Sequence, residues 1–131
     1  MNRPHEQIST EELMAAADLF WPDFVLSDGL VLRAQVMEGT SVKDWSREPG
    51  STKKGLEITL NHVHLYDVIS DVDITPEGLR DLERIASAVK ECWRAALIAA
   101  FPERTFVVDM ESEPAEYGPT ITFWERENSD G

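Results

Sequence analysis

The chain has 131 residues, 42% of them hydrophobic, enough for one domain with a real core. Its 25 acids against 12 bases give a net charge of −13, which repels phosphate and anionic lipid. Direct nucleic-acid binding and membrane-surface binding are therefore not expected, and the charge is compatible with a basic protein partner or simply with solubility. The polar start MNRPHEQ has no apolar signal core, and the longest apolar run, near AALIAAF, is too short for a bilayer. Cys92 is the single cysteine, so no intramolecular disulfide can form. The expectation is a soluble cytoplasmic protein, one domain over 1–131, with frayed ends at 1–7 and 126–131.

In chain order, Ser9 and Glu12 form a capping-box pair, with Ile8 and Leu13 at the hydrophobic-staple positions. Leu13, Ala16, Ala17 and Phe20 recur at helical spacing, which predicts one buried stripe, and Pro22 stops the helix. Asp28-Gly29 between two β-rich runs predicts a tight hairpin, because both central residues of a type I′ turn need positive φ. Phe24–Ser27 and Leu30–Met37 are the expected strands. Residues 38–55 read as one long polar loop holding Trp45, Lys43, Arg47, Lys53 and Lys54, with Glu-Pro-Gly-Ser as a turn inside it. Leu56–Val68 reads as the next strand.

Thr75 then caps a second helix, with Pro76 at its first position. Leu79, Leu82, Ile85, Ala86, Val89, Trp93, Ala96, Leu97 and Ala100 form one apolar arc along it, and Pro102 ends it. Ile98 and Phe101 point away from that arc, so the helix end is apolar nearly all round. Two β-rich runs, RTFVVDME and PTITFWE, close the pattern as a hairpin. The element order α-β-β-β-α-β-β predicts an α+β two-layer sandwich. A mostly antiparallel sheet of four to five strands carries two helices on one face and leaves the other open.

The candidate chemistry centres on LNHVHLYD. On a regular strand His62, His64 and Tyr66 share a face, with the imidazoles about 7 Å apart. Two histidines are too few for a zinc site, which takes three or four protein ligands; a further one would have to be a carboxylate such as Asp109 or Glu111. No metal and no cofactor is expected. Acid–base chemistry from these histidines with Asp67, Asp109 or Glu111 fits their titration range, but no spacing requires it, and no nucleophile elbow, phosphate loop or dinucleotide fingerprint is present. Asp71, Asp73 and Thr75 imitate the start of a calcium loop, but Pro76 stands where a glycine is needed.

The function these features favour is a small acidic protein-interaction module binding a basic partner protein, with an inhibitor- or immunity-like role as one concrete form. Residues 109–130 carry seven acids and one base, which suits that reading. The alternative is a small-molecule binder or enzyme with a cleft around His62, His64 and Tyr66. The side chains set out for either use are His62, His64, Tyr66, Trp45, Asp109, Glu111 and Trp124. A homodimer through the open sheet face or the helix end is compatible with both.

Overall fold

The computed structural model describes residues 7–39, 50–69, 75–112 and 118–127. Helix α1 spans Thr10–Phe20 and opens with the expected capping box. Ser9 Oγ accepts from Glu12 N and Glu12 Oε1 accepts from Ser9 N, both at 3.0 Å, so two orphan donors of the first turn are satisfied. The staple does not close, since Ile8 and Leu13 are both more than half exposed. Nor is a stripe of α1 buried: only its far end, at Leu19 and Phe20, packs on the core.

Strands β1 (Phe24–Ser27) and β2 (Leu30–Arg33) pair antiparallel from Phe24↔Arg33 to Ser27↔Leu30. Asp28 and Gly29 have φ of 52° and 81°, the geometry a type I′ turn demands. The second strand is shorter than its apolar alternation suggests. It stops at Arg33, and α2 (Val36–Gly39) forms a single turn through Met37 N to Ala34 O and Glu38 N to Gln35 O. Val36 still reaches the same cluster as Leu30 and Leu32, by curling rather than by extension.

The largest correction falls on residues 53–68. Lys53–Leu60 is helix α3, so the polar loop does not run to Gly55, and Leu56–Val68 is not a strand. Thr52 caps α3 by accepting from Gly55 N. Leu56, Ile58 and Leu60 alternate, but Leu56 and Leu60 are also one helical turn apart, and the cap together with the contacts of α3 to β2 and β5 favours the helix. Strand β3 is only Val63–His64, followed by the single turn α4 (Leu65–Val68).

Helix α5 spans Pro76–Ala100, capped by Thr75 Oγ1 accepting from Gly78 N at 3.0 Å. Its buried residues are Leu82, Ala86, Val89, Trp93, Ala96 and Leu97, six of the nine expected; Leu79 and Ile85 are half-buried and Ala100 is exposed. Phe101 turns back onto Phe106, ring centroids 6.1 Å apart, while Ile98 stays 64% exposed. Strands β4 (Phe106–Ser112) and β5 (Pro119–Glu125) form the closing hairpin, and Arg126 N continues it by donating to Thr105 O at 2.8 Å, so Arg126 is tied down rather than frayed.

The strands make two small antiparallel sheets, β1-β2 and β3-β5-β4, in place of a single sheet of four to five. α5 covers the face of the larger sheet bearing Val108, Ile121 and Phe123. Phe123 sits at the centre of that layer, met edge-on by Phe24, Trp93 and Phe106 at 5.3, 5.8 and 6.1 Å. The opposite face is not open. α3 packs on β5 and β2, and Thr122 Oγ1 donates to the Ile58 carbonyl at 2.7 Å. The fold is thus α+β with helices on both sides of β5, which is why Pro119 to Phe123 are all buried.

Side chains of α3 join the two sheets. The hairpin register turns the backbone of Val31 and Arg33 outward, to the free edge of β2. Glu57 Oε2 accepts from Val31 N at 2.8 Å, Asn61 Nδ2 donates to Val31 O at 3.0 Å, and Asn61 Oδ1 accepts from Arg33 N at 3.0 Å. Glu57 Oε1 accepts from Glu125 N at 2.9 Å, on the edge of β5. Two polar residues one helical turn apart therefore do the work of a missing strand, and both are fully buried.

Candidate functional site

The structure separates the side chains that the sequence set out together. Trp45 lies outside the described residues, as do Asp71 and Asp73. His62 is exposed in the turn before β3, whereas His64 lies on β3 opposite Thr120. Because His62 is not on the strand, the imidazoles approach to 4.5 Å between centroids at 60°, closer than alternate strand residues would. Tyr66 belongs to α4 and not to their face. Its ring packs on the core and lies over Gly118, where an added Cβ would come 2.5 Å from Cε2. Gly118 also has φ of 64°, so both space and backbone reserve that position for glycine.

The strand register does unite four of the candidates. Asp109 is opposite Thr122, Glu111 opposite Thr120 and Trp124 opposite Val107. His64, Asp109, Glu111 and Trp124 therefore share the face that α3 partly covers, and Lys54 Nζ stands 5.4 Å from the Trp124 ring centroid. The strand order places β5 between β3 and β4. His64 and Glu111 are thus two strand spacings apart, about 10 Å, with Thr120 between them. Among the described residues, no cluster of three or more His, Cys, Asp and Glu side chains is arranged to hold a metal ion.

At the other end of β5 lies a depression of about 480 Å³, lined by Gly29, Lys53, Arg104, Glu125 and Arg126 among others. Its floor is an ion-pair network. Glu125 Oε1 accepts from both Lys53 Nζ and Arg104 Nη1, the latter at 2.8 Å, and Lys53 also reaches Glu57 Oε2 at 3.3 Å. Burial alone would raise the Glu125 carboxyl, but Lys53 and Arg104 outweigh it and hold it below its ordinary value. Burial would lower Lys53, but its hydrogen bond to Glu125 and the charge of Glu57 hold it above its own. Two of its three cations, Lys53 and Arg104, are paired with Glu57 and Glu125, so this network is first a structural junction.

A different surface stands out by its polarity. Ile8, Leu13, Met14 and Trp21 are 55%, 53%, 59% and 51% exposed, half of the large hydrophobic side chains that the described residues leave in solvent. Leu13, Met14 and Ala17 fall within about 100° of arc on α1, at ~100° per residue, and Trp21 follows at its C-cap. The opposite side of the helix is held to α5, where Trp93 Nε1 donates to the Leu19 carbonyl at 2.8 Å. Exposed acids lie along and just beyond the same helix: Glu11, Glu12, Asp18 and Asp23. From Gln7 to Leu32 the chain has five acids and no lysine or arginine.

This patch was not among the side chains singled out from the sequence, although its signal was there. Leu13, Met14, Ala16, Ala17, Leu19, Phe20 and Trp21 are too many apolar residues for one stripe of an eleven-residue helix. Once Ala16, Leu19 and Phe20 turn inward, the rest must face out. Among the described residues no helix is long and apolar enough to cross a membrane. No protein family, curated protein or solved structure matches the chain.

Proposed function

We propose that the chain is a protein-interaction module that binds a basic partner protein through α1. The observation that carries this reading is the solvent-facing apolar patch of Leu13, Met14, Ala17 and Trp21 on a segment whose exposed charges, Glu11, Glu12, Asp18 and Asp23, are all acidic. An apolar patch with charge of one sign nearby suits a binding surface: the patch supplies desolvation and the charge supplies orientation and a fast encounter. With no base between Gln7 and Leu32, that charge selects a partner segment rich in lysine or arginine. An inhibitor- or immunity-like role is the concrete form, since enzymes that cleave nucleic acid carry basic grooves that such a surface complements.

The test is retention of a partner from the native cell on immobilised chain, compared with a Leu13→Ser/Trp21→Ser double variant. The expected result is one basic protein held in near-stoichiometric amount, released as salt rises and lost with the double variant. Retention of nothing, or equal retention by the variant, refutes the reading.

A further inference from the structure

Among the described residues, the outer edge of β4 is a backbone template that no other strand occupies. Arg126 N donates to Thr105 O, which fixes 105 and 126 as a hydrogen-bonded pair. By alternation the pairs 107–124, 109–122 and 111–120 are hydrogen-bonded too, and the backbone groups of Phe106, Val108 and Met110 point away from β5. The same alternation turns Ile121 and Glu125 of β5 away from β4, which is where β3 and Glu57 meet them. Among the described residues no backbone group pairs with the outward N–H and C=O groups of Phe106, Val108 and Met110.

The surroundings of that edge say what chemistry fits it. On one face, Asp109 and Glu111 project beside Val107. On the other, Ser87 Oγ lies 3.9 Å from Met110 Sδ, so the Ser87 stripe of α5 borders β4. A strand laid along β4 therefore meets carboxylates on one side and the apolar side chains of Phe106, Val108 and Met110 on the other.

We propose that β4 accepts an extended partner segment of alternating basic and apolar residues by antiparallel strand addition. The apolar residues lie on the α5 side and donate their backbone N–H groups to β4. The basic residues lie opposite Asp109 and Glu111, at cross-strand distances of about 5 Å. For a second copy of the chain, the antiparallel registers with the longest overlap, centred on Asp109 or Met110, set Asp109 against itself or against Glu111, a penalty that a basic segment does not meet. The proposal rests on the chain being a protein-binding module, but on a surface separate from α1.

The probe is an acetylated and amidated seven-residue peptide alternating lysine and valine, starting with lysine. Saturating peptide should slow amide exchange at Phe106, Val108 and Met110 at least tenfold. Peptide N-methylated at every valine should lose that protection, and peptide N-methylated at the inner lysines should keep it. The Asp109→Lys/Glu111→Lys double variant, checked for an unchanged melting temperature, should bind at least tenfold more weakly. No protection at millimolar peptide, or protection indifferent to valine N-methylation, overturns the proposal. Protection on α1 and not on β4 overturns it too, yet leaves the α1 reading standing. Protection on β4 with no partner retained through α1 does the reverse.

Discussion

Helices α1 and α3 have exchanged the places their compositions suggest. α1, TEELMAAADLF, is rich in apolar side chains and buries none of them fully. α3, KKGLEITL, carries two lysines and a glycine, yet Leu56, Glu57 and the adjacent Asn61 are buried. Hydrophobicity alone ranks them the wrong way round. What fixes α3 in the interior is the demand of two strand edges, since each buried backbone group left unpaired costs about 1–3 kcal/mol. Glu57 and Asn61 meet that demand at Val31, Arg33 and Glu125. α1 meets no such demand, and its apolar surface stays available to another molecule.

If that contrast is right, the greatest loss of stability comes from Glu57→Ala. It orphans the N–H groups of Val31 and Glu125 at once, and should cost about 3–5 kcal/mol in a urea or thermal melt. Glu57→Gln should fall between that variant and the wild type, because one carboxamide oxygen accepts while the amide group faces a donor. An unchanged melt for Glu57→Ala would mean that α3 is held by apolar contacts after all. Next in size is Gly29→Val. Nothing lies within 4 Å of an added Cβ there, so the loss of more than ~1 kcal/mol expected in the same melt is backbone strain alone, from a β-branched residue forced to positive φ.

Smaller again is the pH response of the Lys53–Glu125–Arg104 network. The Glu125 carboxyl sits below its ordinary 4.5, so its stabilisation is present above that pH and is lost as pH falls through the lower folded value. Lys53 sits above its ordinary 10.5, so its share is present below that pH and is lost as pH rises past the folded value. Both groups are partly solvent-screened, which keeps each contribution under ~1 kcal/mol. Glu125→Gln should flatten the acid limb of a melting-temperature profile; an acid limb that stays as steep would place the sensitivity elsewhere. The smallest effect belongs to α1, where Leu13→Ser should shift stability by no more than ~0.5 kcal/mol, since Leu13 is 53% exposed. A loss of several kcal/mol would mean the α1 patch is part of the core.

The sequence was most informative where local chemistry and tertiary demand agree. Ser9 with Glu12, Asp28 with Gly29, and Thr75 with Pro76 each mark a boundary by a mechanism that needs no distant partner, and each boundary stands where its residues put it. The arc from Leu82 to Leu97 was equally plain, since six buried residues repeat at helical spacing. The stretch from Lys53 to Val68 was not, because Leu56, Ile58 and Leu60 fit both a strand and a short helix. The cap at Thr52 outweighs the alternation only when β2 and β5 are there for α3 to meet. The histidine face failed for the same reason: it assumed a strand through His62, which the chain leaves in a turn. The sharing of a face by His64, Asp109, Glu111 and Trp124 depends on β5 lying between β3 and β4, a strand order that no local pattern encodes.

Glu57 also constrains the order in which the chain can fold. Its partners Val31 and Glu125 lie 26 and 68 residues away, on opposite sides of it in the sequence. During synthesis the β1-β2 hairpin and α3 exist before β5 does, so one carboxylate oxygen must stay in water while the other waits at β2. Desolvating the whole group becomes favourable only when β5 docks and supplies the Glu125 N–H. Docking of β5 is therefore the step that commits both halves of the chain together, and the long loop it closes makes that step slow. A nascent chain stopped before Pro119 would hold its hairpin and helices only loosely, with Glu57 still hydrated and the surface meant for β5 open to other chains.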